Sequence, residues 1–235
     1  MTRRLATVAC VAALVGGCAT PPDHFHTLRP SAAAAAPVAR TPGRTLAIGP
    51  VTVPDALARD AWVIRTGETG AQVHEHQLWT QGLGAEIAQS LADHLNRGSL
   101  PDGLWADAGP TGSGTGVDLD EPALLRVRVQ VLRFDARLAP EPAVSDQLRW
   151  TIECLPADTT LSPVEAGRFR AVRTGVREAG GAAPPANPAV EADQQRYDRL
   201  ARAHVEALRQ VAADVDAALR ESAPERARAC AQAPR

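Results

Sequence analysis

The thiol of Cys18 is the side chain in this sequence whose position most clearly predicts chemistry. An aliphatic residue, Val15, and two small residues, Gly16 and Gly17, come directly before it. Small residues let an extended backbone enter the cleft of a peptidase, and the sulfur is a nucleophile that accepts a diacylglyceryl group. This spacing predicts that Cys18 is the lipid attachment site and the first residue of the mature chain.

The segment before Cys18 has the properties of an export signal. Arg3 and Arg4 form a positive start, and a predominantly apolar run of 11 residues follows from Leu5 to Val15. That length suits a signal peptide, whereas a membrane-spanning helix needs about 20 apolar residues. Residues 15–18 resemble the bacterial lipobox, and the alternative is an ordinary secretory signal in which Cys18 is incidental. We therefore expect residues 1–17 to be removed, and we expect no transmembrane helix.

Acylation of Cys18 also predicts where the mature protein resides. Each buried methylene contributes about 0.8 kcal/mol, so two or three acyl chains hold a protein on a bilayer where one chain does not. In known lipoproteins an Asp after the lipidated cysteine favours retention at the inner membrane. Ala19 occupies that place here and predicts export to the periplasmic face of the outer membrane.

The charge of the chain argues against a nucleic-acid partner. The net charge is −2, and it becomes −4 when the signal segment takes Arg3 and Arg4 away. A nucleic-acid-binding protein shows a basic stripe instead. Every basic residue other than histidine is an arginine, which excludes chemistry that depends on a lysine.

Two further cysteines, Cys154 and Cys230, remain in a mature chain that would lie in an oxidising compartment. Cys154 shares one face of a predicted strand with Trp150 and Ile152, which is typical of a buried thiol. Cys230 lies in a polar tail after Pro224. A Cys154–Cys230 disulfide is one interpretation and a buried free thiol at Cys154 is the other, because nothing in the sequence places the tail near that strand.

Two histidine pairs have spacings that can ligate a metal. His24 with His26, and His74 with His76, each place two imidazoles on one side of a strand, but a zinc site needs further ligands. Two unrelated surface histidines are the alternative in each case. Residues 112–116 resemble a phosphate loop but lack the flanking strand, the helix and the lysine. We therefore expect no catalytic residue, no metal site and no cofactor.

The elements that position these residues follow from apolar periodicity. Apolar residues at every fourth position predict one helix from about Trp79 to Asn96, and steps of three and four predict a second over residues 197–219. Short apolar or alternating segments predict strands at 46–51, 62–65, 72–76, 125–131, 147–155 and 168–174. This order predicts a single α/β domain in which a mixed β-sheet is packed by two main helices, an α/β sandwich.

The sequence divides into four parts. Residues 1–17 are the signal peptide, and residues 18–44 are a lipidated N-terminus with a first short strand and a Pro/Ala-rich loop. Residues 45–222 form the α/β domain. Residues 223–235 are predicted to be a polar, disordered tail.

An ordered set of segments carries a family resemblance: His24–Leu28, Leu46–Pro54, Leu78–Trp79, Val131–Asp135 and Tyr197–Leu219. After a lipobox, this set resembles the PqiC/YmbA family, the auxiliary lipoproteins of ABC-type and MCE-domain lipid transport systems. The sequence departs from the family at the start, where His26 takes the place of one of two paired aromatics.

The resemblance implies an α/β body without a catalytic site and a function in inter-membrane lipid transport and envelope integrity. It implies an MCE-domain (PqiB-like) protein as a partner that spans the periplasm, and a ring of several copies of this chain. A lipoprotein subunit of another envelope machine, for lipopolysaccharide export or secretion, is the alternative. A lipid-anchored hydrolase or metal-binding protein would require the two histidine pairs to meet in space.

Overall fold

Alternation of apolar and polar residues builds the central sheet of this protein. The computed structural model describes residues 21–29, 45–108, 124–155, 170–182 and 193–231. Their strands are β1 His24–His26, β2 Thr45–Thr52, β3 Ala61–Arg65, β4 Ala71–Trp79, β5 Trp105–Asp107, β6 Leu124–Arg137, β7 Ala143–Leu155 and β8 Arg170–Ala182. Their α-helices are α1 Leu83–Arg97, α2 Asp193–Glu221 and α3 Ala223–Ala231.

The eight strands form one mixed sheet around the long strand β6. The strand order is β1-β4-β3-β6-β2-β5, while β7 pairs with the other edge of β6 and β8 pairs with β7. Strand β6 is long enough to pair with β2 over residues 125–130 and with β3 at Ala136. Strands β3–β4, β6–β7 and β7–β8 are antiparallel, and the other pairs are parallel. The predicted mixed α/β fold is confirmed.

The helices cover one face of this sheet. On β6, Val127, Val129 and Val131 point to that face and are buried, while Arg128 and Gln130 between them are exposed. Among the described residues, no helix packs on the opposite face, which we call the open face. The core therefore lies between one side of the sheet and the apolar sides of α1 and α2.

Both predicted helices are present, with one corrected boundary. In α1, Leu83, Ile87, Leu91 and Leu95 are buried at every fourth position. The helix begins at Leu83 rather than near Trp79, because Gly82 has a φ of 74°, which does not continue an α-helix. Trp79 ends β4 instead and is buried in the core.

Residues 223–231 correct the prediction of a disordered tail, because they form α3. Pro224 does not prevent this, since it lies in the first turn, where the missing N–H has no helical partner. The Arg226 side chain is buried and donates to the carbonyl of Leu219, to Ser222 Oγ at 3.1 Å and to Asp102 Oδ2 at 2.8 Å. The prediction relied on polarity alone and missed these longer-range bonds.

The structure joins α3 to the sheet through Cys154 and Cys230. Their sulfur atoms are 1.96 Å apart and their Cα atoms 5.6 Å apart. Cys154 is fully buried on β7, and Cys230 packs against the core from α3. Of the two interpretations left open by the sequence, the structure has the disulfide.

The predicted anchor lies outside the described part of the chain. The signal peptide, Cys18 and the Pro/Ala-rich loop from residue 30 to 44 all belong there. Within the described ranges, no helix is both long and apolar enough to cross a bilayer.

Candidate functional site

The first segment after the predicted anchor is held to the body by a buried carboxylate. Glu86 on α1 is 1% exposed and accepts hydrogen bonds from the Leu28 amide and the Thr27 hydroxyl, both at 2.8 Å, and from the Thr80 hydroxyl. Strand β1 also pairs in parallel with the end of β4. The residues between Cys18 and β1 are 19–23, and five residues span at most about 17 Å. This segment therefore fixes the body close to Cys18.

Three histidines of β1 and β4, His26, His74 and His76, form hydrogen bonds within the protein. His26 is buried, and its Nε2 lies 2.7 Å from Gln77 Oε1. The Tyr197 hydroxyl lies 2.5 Å from Nδ1 of His74, and burial lowers the pKa of this histidine. His76 pairs with Asp23 at 2.9 Å on the surface.

The described histidines are not arranged as a metal site. Over residues 21–29, 45–108, 124–155, 170–182 and 193–231, no three His, Cys, Asp or Glu side chains are grouped so that they could hold an ion. His26 instead joins β1 to Gln77 of β4, and His74 joins β4 to Tyr197 of α2.

A second buried polar pair joins α2 to β7. His204 Nδ1 lies 2.8 Å from Asp146 Oδ2, and the two side chains are 1% and 0% exposed. The Phe134 ring stacks on the imidazole with 3.9 Å between ring centroids. Burial raises the pKa of Asp146, although the neighbouring His204 acts in the opposite direction.

This pair is part of the core and not of a substrate site. The cavity beside the His204 ring measures about 10 Å³, which is room for one water molecule and no larger ligand. The periodicity of α2 placed His204 on its apolar face, but nothing in the sequence pointed to Asp146 or to Glu86 as partners across the core.

The open face of the sheet carries the exposed apolar side chains. In the described ranges three large apolar side chains are exposed: Phe25 at 62%, Val73 at 37% and Val176 at 51%. Each points away from the helices, because its neighbours along the strand are buried on the helical side or its cross-strand partner lies on the open side. Phe25 alternates with buried His26, Val73 pairs with Val63 next to buried Trp62 and Ile64, and Val176 pairs with Arg149.

Arginines occupy the middle of the same face. The strand registers and the alternation along β4 place six arginines and five carboxylates there: Arg65, Arg126, Arg128, Arg133, Arg137, Arg149, Glu75, Asp107, Asp135, Glu153 and Glu178. Glu153 is the most buried of these carboxylates and pairs with Arg126 at 2.6 Å and with Arg128 at 3.0 Å. The alternation on β6 predicted a polar side, but the sequence did not predict that no helix among the described residues packs against this side.

Comparisons with known proteins identify the fold and the family. The chain is similar to a crystal structure described as an uncharacterized protein, with 16% identity and a TM-score of 0.52 over 85% of this chain and 99% of that chain. It is also similar to protein XCC0632 from Xanthomonas campestris, of the DUF330 family, with 13% identity and a TM-score of 0.48 over 85% and 94% of the two chains. No curated protein sequence matches this chain.

The family model with the description "ABC-type transport auxiliary lipoprotein component" matches residues 26–216. The match begins in β1, includes all other strands and ends near the end of α2. It confirms the resemblance to the PqiC/YmbA family. This chain therefore belongs to the family of ABC-type transport auxiliary lipoprotein components.

Proposed function

We propose that the mature protein is a lipoprotein on the periplasmic face of the outer membrane and a non-catalytic auxiliary subunit of an MCE/ABC-type inter-membrane lipid transport system that supports envelope integrity. The family match over residues 26–216 is the observation that carries this proposal. The lipobox that ends at Cys18 supports the lipid anchor, and Ala19 supports the outer membrane as its location.

The short segment between anchor and body suits an adaptor. Residues 19–23 hold β1 within about 20 Å of the lipidated residue, and Glu86 fixes the residues that follow β1 to α1. Such a body stays at the membrane surface and does not reach across the periplasm. The partner must therefore come to it, which fits an MCE-domain (PqiB-like) protein that extends from the inner membrane.

The interior of the protein supports a role in binding. The polar pair between His204 and Asp146 is enclosed by packed side chains, beside a cavity of about 10 Å³. We infer that this protein acts through its surface, by positioning the exit of the partner at the outer membrane, with several copies of the chain arranged as a ring.

Crosslinking in intact cells tests this function. The acylated protein, with an affinity tag after residue 235, is crosslinked, purified from membranes and analysed by mass spectrometry. We expect an MCE-domain protein among the crosslinked partners, and we expect the Cys18→Ser variant to lose it. Crosslinks only to components of lipopolysaccharide export or of secretion would assign the protein to another envelope machine.

A further inference from the structure

The open face exposes both apolar and basic side chains. Phe25, Val73 and Val176 lie on β1, β4 and β8, and arginines of β6 and β7 lie between them. The three apolar side chains are separated, whereas the centre of a stable protein–protein interface is a contiguous apolar patch. This pattern favours a partner that offers charges and apolar groups over a broad area.

The charge of this face differs in sign from that of the mature chain. The mature chain has a net charge of −4, yet six arginines and five carboxylates lie on the open face. Glu153 is one of these carboxylates, and it is only 8% exposed because it is paired with two arginines. Its partner Arg126 is only 14% exposed, so this pair removes one charge of each sign and the arginines stay in excess, which complements an anionic partner.

We propose that the open face lies on a bilayer surface that contains anionic phospholipids. The arginine guanidinium groups would donate hydrogen bonds to lipid phosphates, and the Phe25 ring would enter the interface between headgroups and acyl chains. This inference rests on the proposed function only for the anchor, which brings the protein to the membrane. Phe25 is seven residues after Cys18, so its backbone lies at most about 24 Å from the lipidated residue.

The twist of the sheet limits how much of the open face can touch a flat membrane at once. Neighbouring strands are rotated by roughly 20°. The six strands in the order β1-β4-β3-β6-β7-β8 therefore cannot all lie in one plane. Arg133, Arg137 and Arg149 lie near the middle of the face, on β6 and β7. Arg133 is 48% exposed, with Asp135 and Glu178 near the limit of an ion pair, at 3.9 and 3.8 Å.

A vesicle-binding experiment without the lipid anchor tests the proposal. The mature chain with Cys18→Ser is exported behind an ordinary cleavable secretory signal, so that it carries no acyl group. Its co-sedimentation is measured with vesicles of phosphatidylcholine alone and of phosphatidylcholine with phosphatidylglycerol. We expect binding to the anionic vesicles that weakens with added salt. The triple variant Arg133→Gln, Arg137→Gln, Arg149→Gln should lose about fivefold per arginine, or about a hundredfold in total.

A matched triple variant on α2 controls for net charge. Arg202→Gln, Arg209→Gln and Arg220→Gln remove the same charge from exposed positions on the helical side, and we expect vesicle binding within twofold of the parent chain. Absence of binding to anionic vesicles, or equal losses in the two triple variants, would overturn the proposal. A triple variant of the open face that loses self-association but keeps vesicle binding would assign the face to a second copy of the chain. Because the tested chain has no acyl group, these results are independent of acylation at Cys18 and of the MCE-domain partner.

Discussion

The Cys230→Ser variant removes the disulfide to Cys154 with little change in side-chain size. The bond closes a segment with a sequence separation of 76 residues. In the chain-entropy model a loop of this length restricts the unfolded chain by about 4.5 kcal/mol at 25 °C. We therefore expect the free energy of unfolding to fall by roughly that amount, which is a large fraction of the 5–15 kcal/mol typical of a domain.

The position of each cysteine decides which variant is informative. Cys154 is fully buried, so a serine there also places a hydroxyl in the core, and its cost would mix two effects. Cys230 is only partly buried on α3, where serine is tolerated. A decrease of about 4.5 kcal/mol corresponds to a Tm lower by roughly 10–15 °C for a chain of this length.

Urea unfolding of the mature protein, with and without a reducing agent, measures this effect. Reduction should lower the stability of the wild-type protein to that of Cys230→Ser and leave the variant unchanged. The double variant Cys154→Ser, Cys230→Ser should lose less free energy of unfolding than the sum of the losses of the two single variants, because both substitutions remove the same bond. Two reactive thiols in the denatured, unreduced wild-type protein, or a loss below about 1 kcal/mol in Cys230→Ser, would refute the reasoning.

Three other perturbations test the packing around the sheet. Glu86→Ala leaves a buried amide and two hydroxyls without their acceptor and should lower the free energy of unfolding by about 2–4 kcal/mol in urea titrations. Gly175→Ala places a Cβ in steric conflict with the Trp150 ring and should lower the free energy of unfolding by about 1–3 kcal/mol in the same assay. Burial lowers the pKa values of His74 and His94, so the unfolded chain binds more protons below about pH 6.5. Stability should therefore fall as the pH is lowered from 7 to 5.

Matched controls make these results specific. Glu206→Ala removes an exposed carboxylate from a helix and should change the free energy of unfolding by less than about 0.5 kcal/mol. Gly181→Ala adds a Cβ with no atom within 4 Å, and its effect on the free energy of unfolding should be similarly small. The double variant His74→Gln, His94→Gln should have a flatter pH dependence than the wild-type protein. Equal effects in a variant and its control would contradict the packing described for that position.

Local periodicity was sufficient to predict most of the fold. The four-residue spacing from Leu83 to Leu95 and the alternation from Leu125 to Val131 are properties of single elements, and both are present in the structure. The boundary at Trp79 was wrong because a backbone conformation at Gly82 ends one element and begins the next. Such a change is decided by φ at one residue and not by apolar spacing.

Contacts between distant residues could not be predicted in the same way. The disulfide joins Cys154 to Cys230, and Arg226 reaches Asp102 across 124 residues, so the order of α3 depends on partners that no local pattern indicates. The open face could not be predicted for the same reason, because it also depends on contacts between distant residues. The sequence of β6 shows a polar side with Arg128 in it, but only the three-dimensional arrangement shows that the helices cover the other side.

Acylation of Cys18 is the most direct test of the account, because the anchor determines where the protein acts. Mass spectrometry of the mature protein, purified from outer-membrane fractions of a density gradient, should show an N-terminus at residue 18 that carries a diacylglyceryl group and an N-acyl chain. The Cys18→Ser variant should leave those fractions. An unmodified Cys18, or a serine variant that still fractionates with the outer membrane, would contradict the account.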